Sequence, residues 1–286
     1  MSLQSIERLM KEARRGRYAV GYFESWSLDS LQGVIDAVEQ TRSPTILGFN
    51  GQFLSQRAGA SEHDLLAYAA MGRAVAAEAR VPCGFIFNEC ANDTWVERAI
   101  TAGFNLVMPA DENAELADYL QRVKRLTALA HEHGVAVEAA IEEDDQNAAT
   151  YAEHAAKFVA ATGVDLLAVS VGNEEIKLEG RAPLDLARLD ALRRRIDIPF
   201  VLHGGSGIED RSLREAIGLG VGKVNYGTYM KQAYLREMRR ALASSDPNPH
   251  ALLGDGGDTD LLVIGRRVVR DAVLERIGLL GCAGKA

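Results

Sequence analysis

Short apolar runs alternate along this chain with longer segments in which apolar residues follow the helical period. Leu31, Val34, Ile35 and Val38 show the i, i+3, i+4, i+7 spacing of an amphipathic helix. The apolar runs are mostly continuous, which is typical of parallel strands covered on both faces. The pattern predicts eight strands: Tyr18–Phe23, Pro44–Asn50, Val81–Asn88, Phe104–Pro109, Val135–Ile141, Leu166–Gly172, Pro199–His203 and Gly222–Tyr226.

Helical segments separate these strands. Eight β-then-α units can close into a (β/α)₈ TIM barrel or form an open doubly wound sheet, and the count of eight favours the barrel. No GxGxxG follows the first strand, so the dinucleotide-binding fingerprint is missing. The predicted helices are Leu28–Thr41, His63–Ala79, Trp95–Ala102, Ala114–His133, Thr150–Ala161, Leu184–Arg195 and Arg211–Leu219.

Both ends of the chain add a helix to this barrel. The first twenty residues form an amphipathic helix with charges throughout, unlike a secretory signal. A second extra helix, Leu261–Ile277, follows a Pro-, Gly- and Asp-rich stretch, Ser244–Asp258, which we interpret as a loop. Residues 1–286 are therefore expected to form one domain.

Composition narrows the partners and the compartment. With 32 Lys+Arg against 40 Asp+Glu, the formal net charge is −8, which disfavours binding to nucleic acid or to an anionic membrane. No apolar run approaches the roughly 18–20 residues of a membrane span. The three cysteines, Cys83, Cys90 and Cys282, form no CxxC pair, which favours a reducing, cytoplasmic location and buried structural thiols.

In a barrel the active site lies at the carboxyl ends of the strands. The most informative of these ends is Leu202–Ile208, LHGGSGI, where a histidine precedes a Gly-rich loop. Glycines let backbone N–H groups approach an anion closely, and barrels often bind phosphate after strands seven and eight. The alternative is a simple tight turn before a helix. The predicted phosphate site contains Gly204, Gly205, Ser206, Asn225, Gly227 and Thr228.

Three stretches carry a resemblance to class II fructose-bisphosphate aldolases, including the tagatose-bisphosphate branch: LHGGSGI, Lys223–Tyr234 (KVNYGTYMKQAY) and Gly278–Ala286 (GLLGCAGKA). The resemblance implies a (β/α)₈ barrel, a dimer or larger assembly, and metal-dependent, reversible aldol cleavage of a ketose bisphosphate. It extends over nearly the whole chain, through Arg17–Leu47, Val81–Ala110, Val135–Ile141 and Gly163–Asn173.

The chain departs from the family pattern at the site itself. The family's third strand ends in His-x-Asp-His, and this chain has Asn88 at the catalytic aspartate position and Glu89 at the metal histidine position. A second metal histidine of the family matches Glu175, and the third matches His203, which is kept. The fifth-strand motif Val-Glu-Ala-Glu loses its second glutamate, because Ala140 stands there.

The resemblance thus predicts a divalent metal held by Glu89, Glu175 and His203. Two carboxylates and one imidazole can form a facial ligand set for a divalent cation. These ligands are harder than three histidines, so the site would prefer Mn²⁺, Mg²⁺ or Fe²⁺, and Zn²⁺ also binds such ligands. The alternative is a barrel without metal, in which the carboxylates are solvated and His203 is hydrogen-bonded to a neighbour.

A general base is also needed, since Asn88 at the catalytic position cannot transfer a proton. Glu142 and Glu174 are predicted catalytic residues, with Glu24 and Asp111 as further candidates near strand ends. For each of these carboxylates the ordinary expectation is a solvent-exposed group. Lys223 begins the eighth strand, where we expect it to be far from the catalytic face and unsuited to a Schiff base.

One of the two phosphate-binding sites that the resemblance implies is changed in this chain. A family lysine in the loop after strand six matches Glu179, although Lys177 lies close by. The second phosphate site looks intact, which suggests a substrate with one phosphate or a sugar acid.

The sequence as a whole predicts a metal-dependent aldolase-type carbon–carbon lyase. Its small-molecule substrate would be a phosphorylated ketose or a related sugar derivative. Cleavage would pass through an enediolate with Zn, Mn or Mg as the cofactor. The protein would be a homodimer or a homotetramer. The alternatives are an isomerase or epimerase using the same enediolate, and a non-catalytic sugar-phosphate-binding barrel. Fold resemblance alone does not choose among them.

Overall fold

Eight parallel strands pair in chain order, and the last pairs with the first to close a barrel. The structure, a computed structural model, describes residues 2–111, 113–141, 147–174, 179–243 and 248–286. The register across the closing seam sets Tyr22 beside Asn225. The strands are β1 Val20–Phe23, β2 Thr45–Asn50, β3 Cys83–Cys90, β4 Leu106–Pro109, β5 Ala136–Ile141, β6 Leu166–Val169, β7 Phe200–Leu202 and β8 Val221–Tyr226.

Helices surround this barrel and cover its outer face. Most begin at a side-chain cap, as at Asn92, whose Oδ1 accepts from the Trp95 N–H. In the described part of the chain they are α1 Ile6–Gly16, α2 Leu28–Thr41, α3 Gly51–Ser55, α4 Glu62–Glu78, α5 Asp93–Ala102, α6 Leu116–Glu132, α7 Ala148–Thr162, α8 Leu186–Arg193, α9 Asp210–Gly218, α10 Thr228–Ala241, α11 Pro249–Leu252 and α12 Leu261–Leu280. None of these helices combines the length and apolarity needed to span a bilayer.

The predicted barrel is confirmed, with all eight strands in the predicted segments. β3 continues to Cys90, so Glu89 lies within the strand instead of after it, whereas Asn88 was predicted as the last residue of the strand. α10 was not among the predicted helices. It is rich in charged residues, and only Met230, Ala233 and Met238 are buried along it, which explains its weak apolar signal.

The two extra helices are integral to the barrel. Ile6 and Leu9 of α1 pack against β3 at Gly84, near the amino ends of the strands. α12 packs against α2, where a Cβ on Gly33 would collide with the carbonyl of Arg266. Because the helices approach so closely, the Arg266 guanidinium reaches Asp36 with two hydrogen bonds of 2.5 and 2.7 Å.

The interior of the barrel is polar at mid-height. Tyr22, Glu138 and Lys223 are almost fully buried there, although each lies in a strand rich in apolar residues. Lys223 and Asn225 are two residues apart on β8 and therefore share a face. The Lys223 Nζ donates to Asn225 Oδ1 at 2.7 Å. This polar layer supports the carboxyl end of the barrel, where chemistry is expected.

Candidate active site

His203 lies at the end of β7 between two carboxylates from other strands. Its Nδ1 is 2.9 Å from Glu89 Oε1, and its Nε2 is 3.0 Å from Glu138 Oε1. The second oxygen of Glu138 lies 2.8 Å from the Lys223 Nζ. The second oxygen of Glu89 accepts from Asn50 Nδ2 at 2.6 Å. A continuous chain of polar contacts therefore crosses the barrel from β2 to β8.

The charges in this chain stabilise one another. Burial alone would lower the pKa of His203, but its hydrogen bonds to Glu138 and Glu89 overcome this and raise the pKa to about 10. Burial would raise the pKa of Glu89, yet the contact with His203 holds it at about 2. Lys223 and His203 likewise lower the pKa of Glu138 against its burial. The hydrogen bonds and opposite charges within this chain therefore favour the charged forms of His203, Glu89 and Glu138 against their burial.

The backbone of Glu89 is strained. Its φ of +53° lies in the left-handed region that disfavours side chains other than glycine. The register between β3 and β4 shifts between Phe87 and Cys90, so the irregularity is local to this residue. Strain of this kind persists only where the surroundings enforce it, and it clusters at functional sites.

A cavity of about 290 Å³ opens above the polar chain. We call it the polar lobe. Four buried polar atoms among its lining residues have no partner within the described residues: the Tyr22 hydroxyl, Asn88 Oδ1, Asn225 Nδ2 and the Tyr226 hydroxyl. Buried polar groups are rarely left without a hydrogen bond, so these atoms are suited to a polar ligand. The lobe is lined by Tyr22, Glu24, Asn50, Phe53, Asn88, Glu89, His203, Gly204, Ser206, Asn225, Tyr226, Gly227, Thr228, Lys231, Gln232 and Leu235.

One corner of the polar lobe joins a Gly-rich turn to the N-terminus of a helix. Gly204 has φ +63°, and a 3₁₀ turn over Gly205–Gly207 follows it. α10 begins at Thr228 beside this turn, and the Tyr229 N–H donates to Ser206 Oγ at 3.2 Å. A helix N-terminus next to a Gly-rich turn presents backbone N–H groups and a favourable dipole to an anion.

Glu24 and Lys231 form an ion pair in the same lobe. The Lys231 Nζ lies 2.5 Å from Glu24 Oε1 and 4.4 Å from the centre of the Phe53 ring. Only 12% of the Glu24 side chain is exposed. The ordinary expectation of a solvent-exposed carboxylate is therefore wrong for this residue. Burial raises the pKa of Glu24, and Lys231 opposes the shift.

A second cavity of about 150 Å³ lies on the other side of Glu89 and His203. We call it the apolar lobe. Its lining has two carboxylates, Glu89 and Asp111, and neither lysine nor arginine among the described residues. The other lining residues are Gln52, Met108, Ala110, Ala114, Leu116, Tyr119, Ala140, Ile141 and His203.

The described residues fit part of a divalent metal site. A histidine that binds a metal through one ring nitrogen usually gives its other N–H to a carboxylate, and Glu138 takes that role at Nε2. His203 Nδ1 and Glu89 Oε1 lie 2.9 Å apart, and a metal bound between them would replace the proton that they share. In the described part of the chain no cluster of three His, Cys, Asp or Glu side chains suits a metal ion. Glu175, the third predicted ligand, lies outside the described residues.

The structure brings most of the predicted site residues together. Asn88, Glu89 and His203 share the polar lobe with Gly204, Ser206, Asn225, Gly227 and Thr228, and Gly205 is buried beneath them. Glu174 is exposed and lines none of the three cavities found among the described residues. Glu142 lies outside the described residues, as does Lys177.

Sequence reasoning missed Glu138 and misplaced Lys223. Lys223 was expected to lie far from the catalytic face, but it contacts Glu138, which contacts His203. For both Glu138 and Lys223, the sequence signal that could have indicated a buried functional role was a charged residue within an otherwise apolar strand. Lys231 was also missed, because it lies on a helix that the periodicity did not predict.

Comparisons with known proteins agree over the whole chain. The fructose-bisphosphate aldolase of Geobacillus stearothermophilus is 30% identical over 298 residues, covering 100% of this chain and 99% of that protein. The structure of the YdjI aldolase from Escherichia coli K12 is 29% identical, with a TM-score of 0.82 and 99% of each chain covered.

The structure of a fructose-bisphosphate aldolase from Campylobacter jejuni has a TM-score of 0.81 and covers 100% of this chain and 97% of its own. Its sequence is 20% identical, so this similarity supports the fold alone. The family described as fructose-bisphosphate aldolase class-II matches residues 4–285. This chain therefore belongs to the class II fructose-bisphosphate aldolase family.

Proposed function

We propose that the protein is a metal-dependent aldolase-type carbon–carbon lyase that cleaves a ketose carrying one phosphate. The observation that carries the proposal is the position of His203. It is held at Nε2 by buried Glu138 and directs Nδ1 towards Glu89, at the boundary of the polar and apolar lobes. Family membership supplies the reaction class.

The proposed metal ligands are Glu89, His203 and Glu175. A bound divalent cation would supply Lewis acidity, polarising the substrate carbonyl and favouring the enediolate. The two carboxylates reduce the net charge of such a site relative to three histidines. This ligand set suits a hard cation such as Mn²⁺ or Mg²⁺, and Zn²⁺ is the further candidate.

The chain's own residues would bind and orient the substrate. The phosphate would lie against Gly205, Ser206 and the N-terminus of α10 at Thr228. The unpartnered atoms of Tyr22, Asn88 and Asn225 would hydrogen-bond substrate oxygens, because leaving them unpaired in a filled site costs free energy. Asn88 binds in this scheme and transfers no proton.

The contrast between the two lobes supports a single phosphate. The polar lobe combines Lys231 with a helix N-terminus, whereas the lining of the apolar lobe includes Asp111 and neither lysine nor arginine among the described residues. A second phosphate in the apolar lobe would meet the charge of Asp111 without a lysine or arginine partner among the described residues. We therefore place the uncharged aldehyde half of the substrate there.

A second candidate is a sugar-phosphate-binding barrel without turnover. It is favoured by one observation: Asn88 occupies the family's proton-transfer position, while Glu89 and His203 already form an ion pair. In such a protein the substrate would be bound by the same polar lobe.

One experiment separates these functions. The purified protein is analysed for Zn, Mn and Mg, then incubated with d-fructose 1-phosphate in a coupled assay for triose products. Proton exchange of dihydroxyacetone phosphate in D₂O is followed in parallel. Bound metal with cleavage is the expected result. Exchange without cleavage would indicate an isomerase, and ligand-induced thermal stabilisation without either would indicate the binding protein.

The proposal includes the assembly. We propose one domain over residues 1–286 in a homodimer or homotetramer. In support, three leucines are between 52% and 60% exposed: Leu242 directly after α10, Leu253 directly after α11, and Leu262 in the first turn of α12. Light scattering after size-exclusion chromatography tests this, and a monomer would contradict it.

A further inference from the structure

We propose that Glu24 is the general acid–base of this site and that Lys231 is the residue that positions its carboxylate. The inference rests on the proposed lyase function, since it assigns the proton transfer that aldol cleavage requires. Asn88 occupies the family's position for this step but has no exchangeable charge state near neutral pH.

Glu24 is placed by the backbone immediately after β1. Its N–H donates to the Tyr226 carbonyl at 2.9 Å, which extends the β1–β8 pairing by one residue. The side chain enters the polar lobe that His203 and Asn225 also line. A Cβ at Gly227 would collide with Glu24 Oε2, so the glycine makes room for this carboxylate beside the start of α10.

Lys231 fixes the orientation of the carboxylate. Its Nζ contacts Glu24 Oε1 and also lies over the Phe53 ring, 4.4 Å from the ring centre, where a cation–π interaction stabilises it. Lys231 belongs to the first turn of α10, where its N–H bonds to the Gly227 carbonyl at 3.0 Å. One oxygen of Glu24 is thus held by Lys231, and the other lies beside Gly227, next to the proposed phosphate corner.

The electrostatic surroundings suit proton transfer. Burial raises the pKa of Glu24, Lys231 lowers it, and the charge of Glu89 raises it further. The Tyr22 phenol on β1 is neutral, because burial and the charges of Glu24, Glu89 and Glu138 raise its own pKa. A base whose pKa approaches the working pH transfers protons more effectively than a strongly acidic one.

Glu89 is less suited to this role. It is the other carboxylate among the described residues that line the polar lobe, and it is one of the proposed metal ligands. Its two oxygens are also already bonded to His203 and Asn50. Asp111 lines the apolar lobe, away from the phosphate corner.

The proposed step conserves atoms and electrons. The Glu24 carboxylate takes the proton of the hydroxyl on the carbon β to the substrate carbonyl. That oxygen forms the aldehyde C=O as the bond between the α and β carbons breaks, and the electron pair passes into the enediolate. Glu24 then returns the proton to the α carbon. No oxidant or reductant is consumed.

The test compares Glu24→Gln, Glu24→Asp and Lys231→Met with wild type on d-fructose 1-phosphate, measuring kcat and KM against pH. The matched control is Glu153→Gln, which alters the exposed ion pair between Glu153 and Lys157 on α7. Thermal unfolding of each variant is recorded, and Glu24→Asp carries the test if Glu24→Gln does not fold.

Glu24→Gln is expected to lower kcat by about 10²–10⁴-fold with KM nearly unchanged. Glu24→Asp should retain part of kcat, and Lys231→Met should move the acidic limb of the pH profile to higher pH, which a purely structural role would not do. Three results would overturn this inference without affecting the proposed function. They are a wild-type kcat in Glu24→Gln, a change in Glu24→Gln that affects KM and not kcat, and an acidic limb that stays at the wild-type pH in Lys231→Met. A wild-type protein that neither cleaves this substrate nor exchanges protons of dihydroxyacetone phosphate would overturn the proposed function with it.

Discussion

Glu138 and His203 are 65 residues apart in the chain, yet Glu138 Oε1 lies 3.0 Å from His203 Nε2 inside the barrel. The Glu138 side chain is fully buried and 12% of the His203 side chain is exposed. The Lys223 Nζ lies 2.8 Å from the other oxygen of the same carboxylate. A carboxylate in this position fixes both the orientation of the imidazole and which nitrogen faces the cavity. Glu138 is therefore the residue on which the geometry of the candidate site depends.

Replacing Glu138 with Gln should destabilise the protein, because it leaves the buried Lys223 ammonium without a counter-charge. Breaking a buried pair in this way costs about 3–5 kcal/mol of unfolding free energy. Urea unfolding followed by circular dichroism measures the change. The double variant Glu138→Gln/Lys223→Met removes both charges and should lose less stability than Glu138→Gln alone. Additive losses would contradict the coupling.

Metal removal should abolish cleavage if Glu89, His203 and Glu175 form the proposed site. Protein stripped with EDTA is expected to lose activity and to regain it with Mn²⁺ or Zn²⁺. Glu89→Gln should no longer retain metal through gel filtration, as measured by elemental analysis. The control Glu215→Gln, in an exposed pair with Arg211, should retain it. Full activity in metal-free protein would refute the prediction.

Ser206→Ala should weaken phosphate binding. The hydroxyl links the Gly-rich turn to the Tyr229 N–H, and a hydrogen bond to a charged ligand contributes about 1.5–3 kcal/mol. We expect the Kd for inorganic phosphate, measured by calorimetry, to rise by at least about tenfold. Thr101→Ala, which removes an exposed hydroxyl bonded within its own helix, serves as the control. Equal affinities in the two variants would argue against the assigned phosphate corner.

Adding a cation to the apolar lobe should change substrate preference. Ala110 lines this lobe, and Ala110→Lys would give a second phosphate a partner there. The ratio of kcat/KM for fructose 1,6-bisphosphate over d-fructose 1-phosphate is expected to rise about tenfold or more, as for one charge-assisted hydrogen bond. Ala110→Met controls for the added bulk. A wild-type enzyme that already prefers the bisphosphate would show that the lobe accepts a phosphate.

The packing of α12 on α2 can be tested with two glycines. Gly33→Ala places a Cβ against Arg266 and should destabilise the fold by about 1–3 kcal/mol through overpacking. Gly278→Ala on α12 meets nothing within 4 Å and should stabilise by about 0.5–1 kcal/mol, because alanine favours a helix. Urea midpoints compare the two variants. A shift in the same direction for both would contradict the close helix contact.

The sequence by itself determined the architecture. Continuous apolar runs alternating with helical periodicity predicted eight strands, and each formed a strand of the barrel. The Gly-rich segment after β7 also predicted its position at the carboxyl end, because that follows from chain order in a parallel barrel. These features are local, so a single pass along the chain is sufficient to find them.

Only the tertiary structure decided which polar side chains meet. Glu138 contacts His203, and Glu24 contacts Lys231 from a position 207 residues earlier in the chain. Such contacts depend on the register between strands and on which face of each strand points inward, and a shift of one residue would reverse that face. Burial then sets the charges, since the pKa of Glu24 rises and that of Glu89 falls in one cavity. Sequence patterns carry no information on that difference, because it arises from neighbours that the fold assembles.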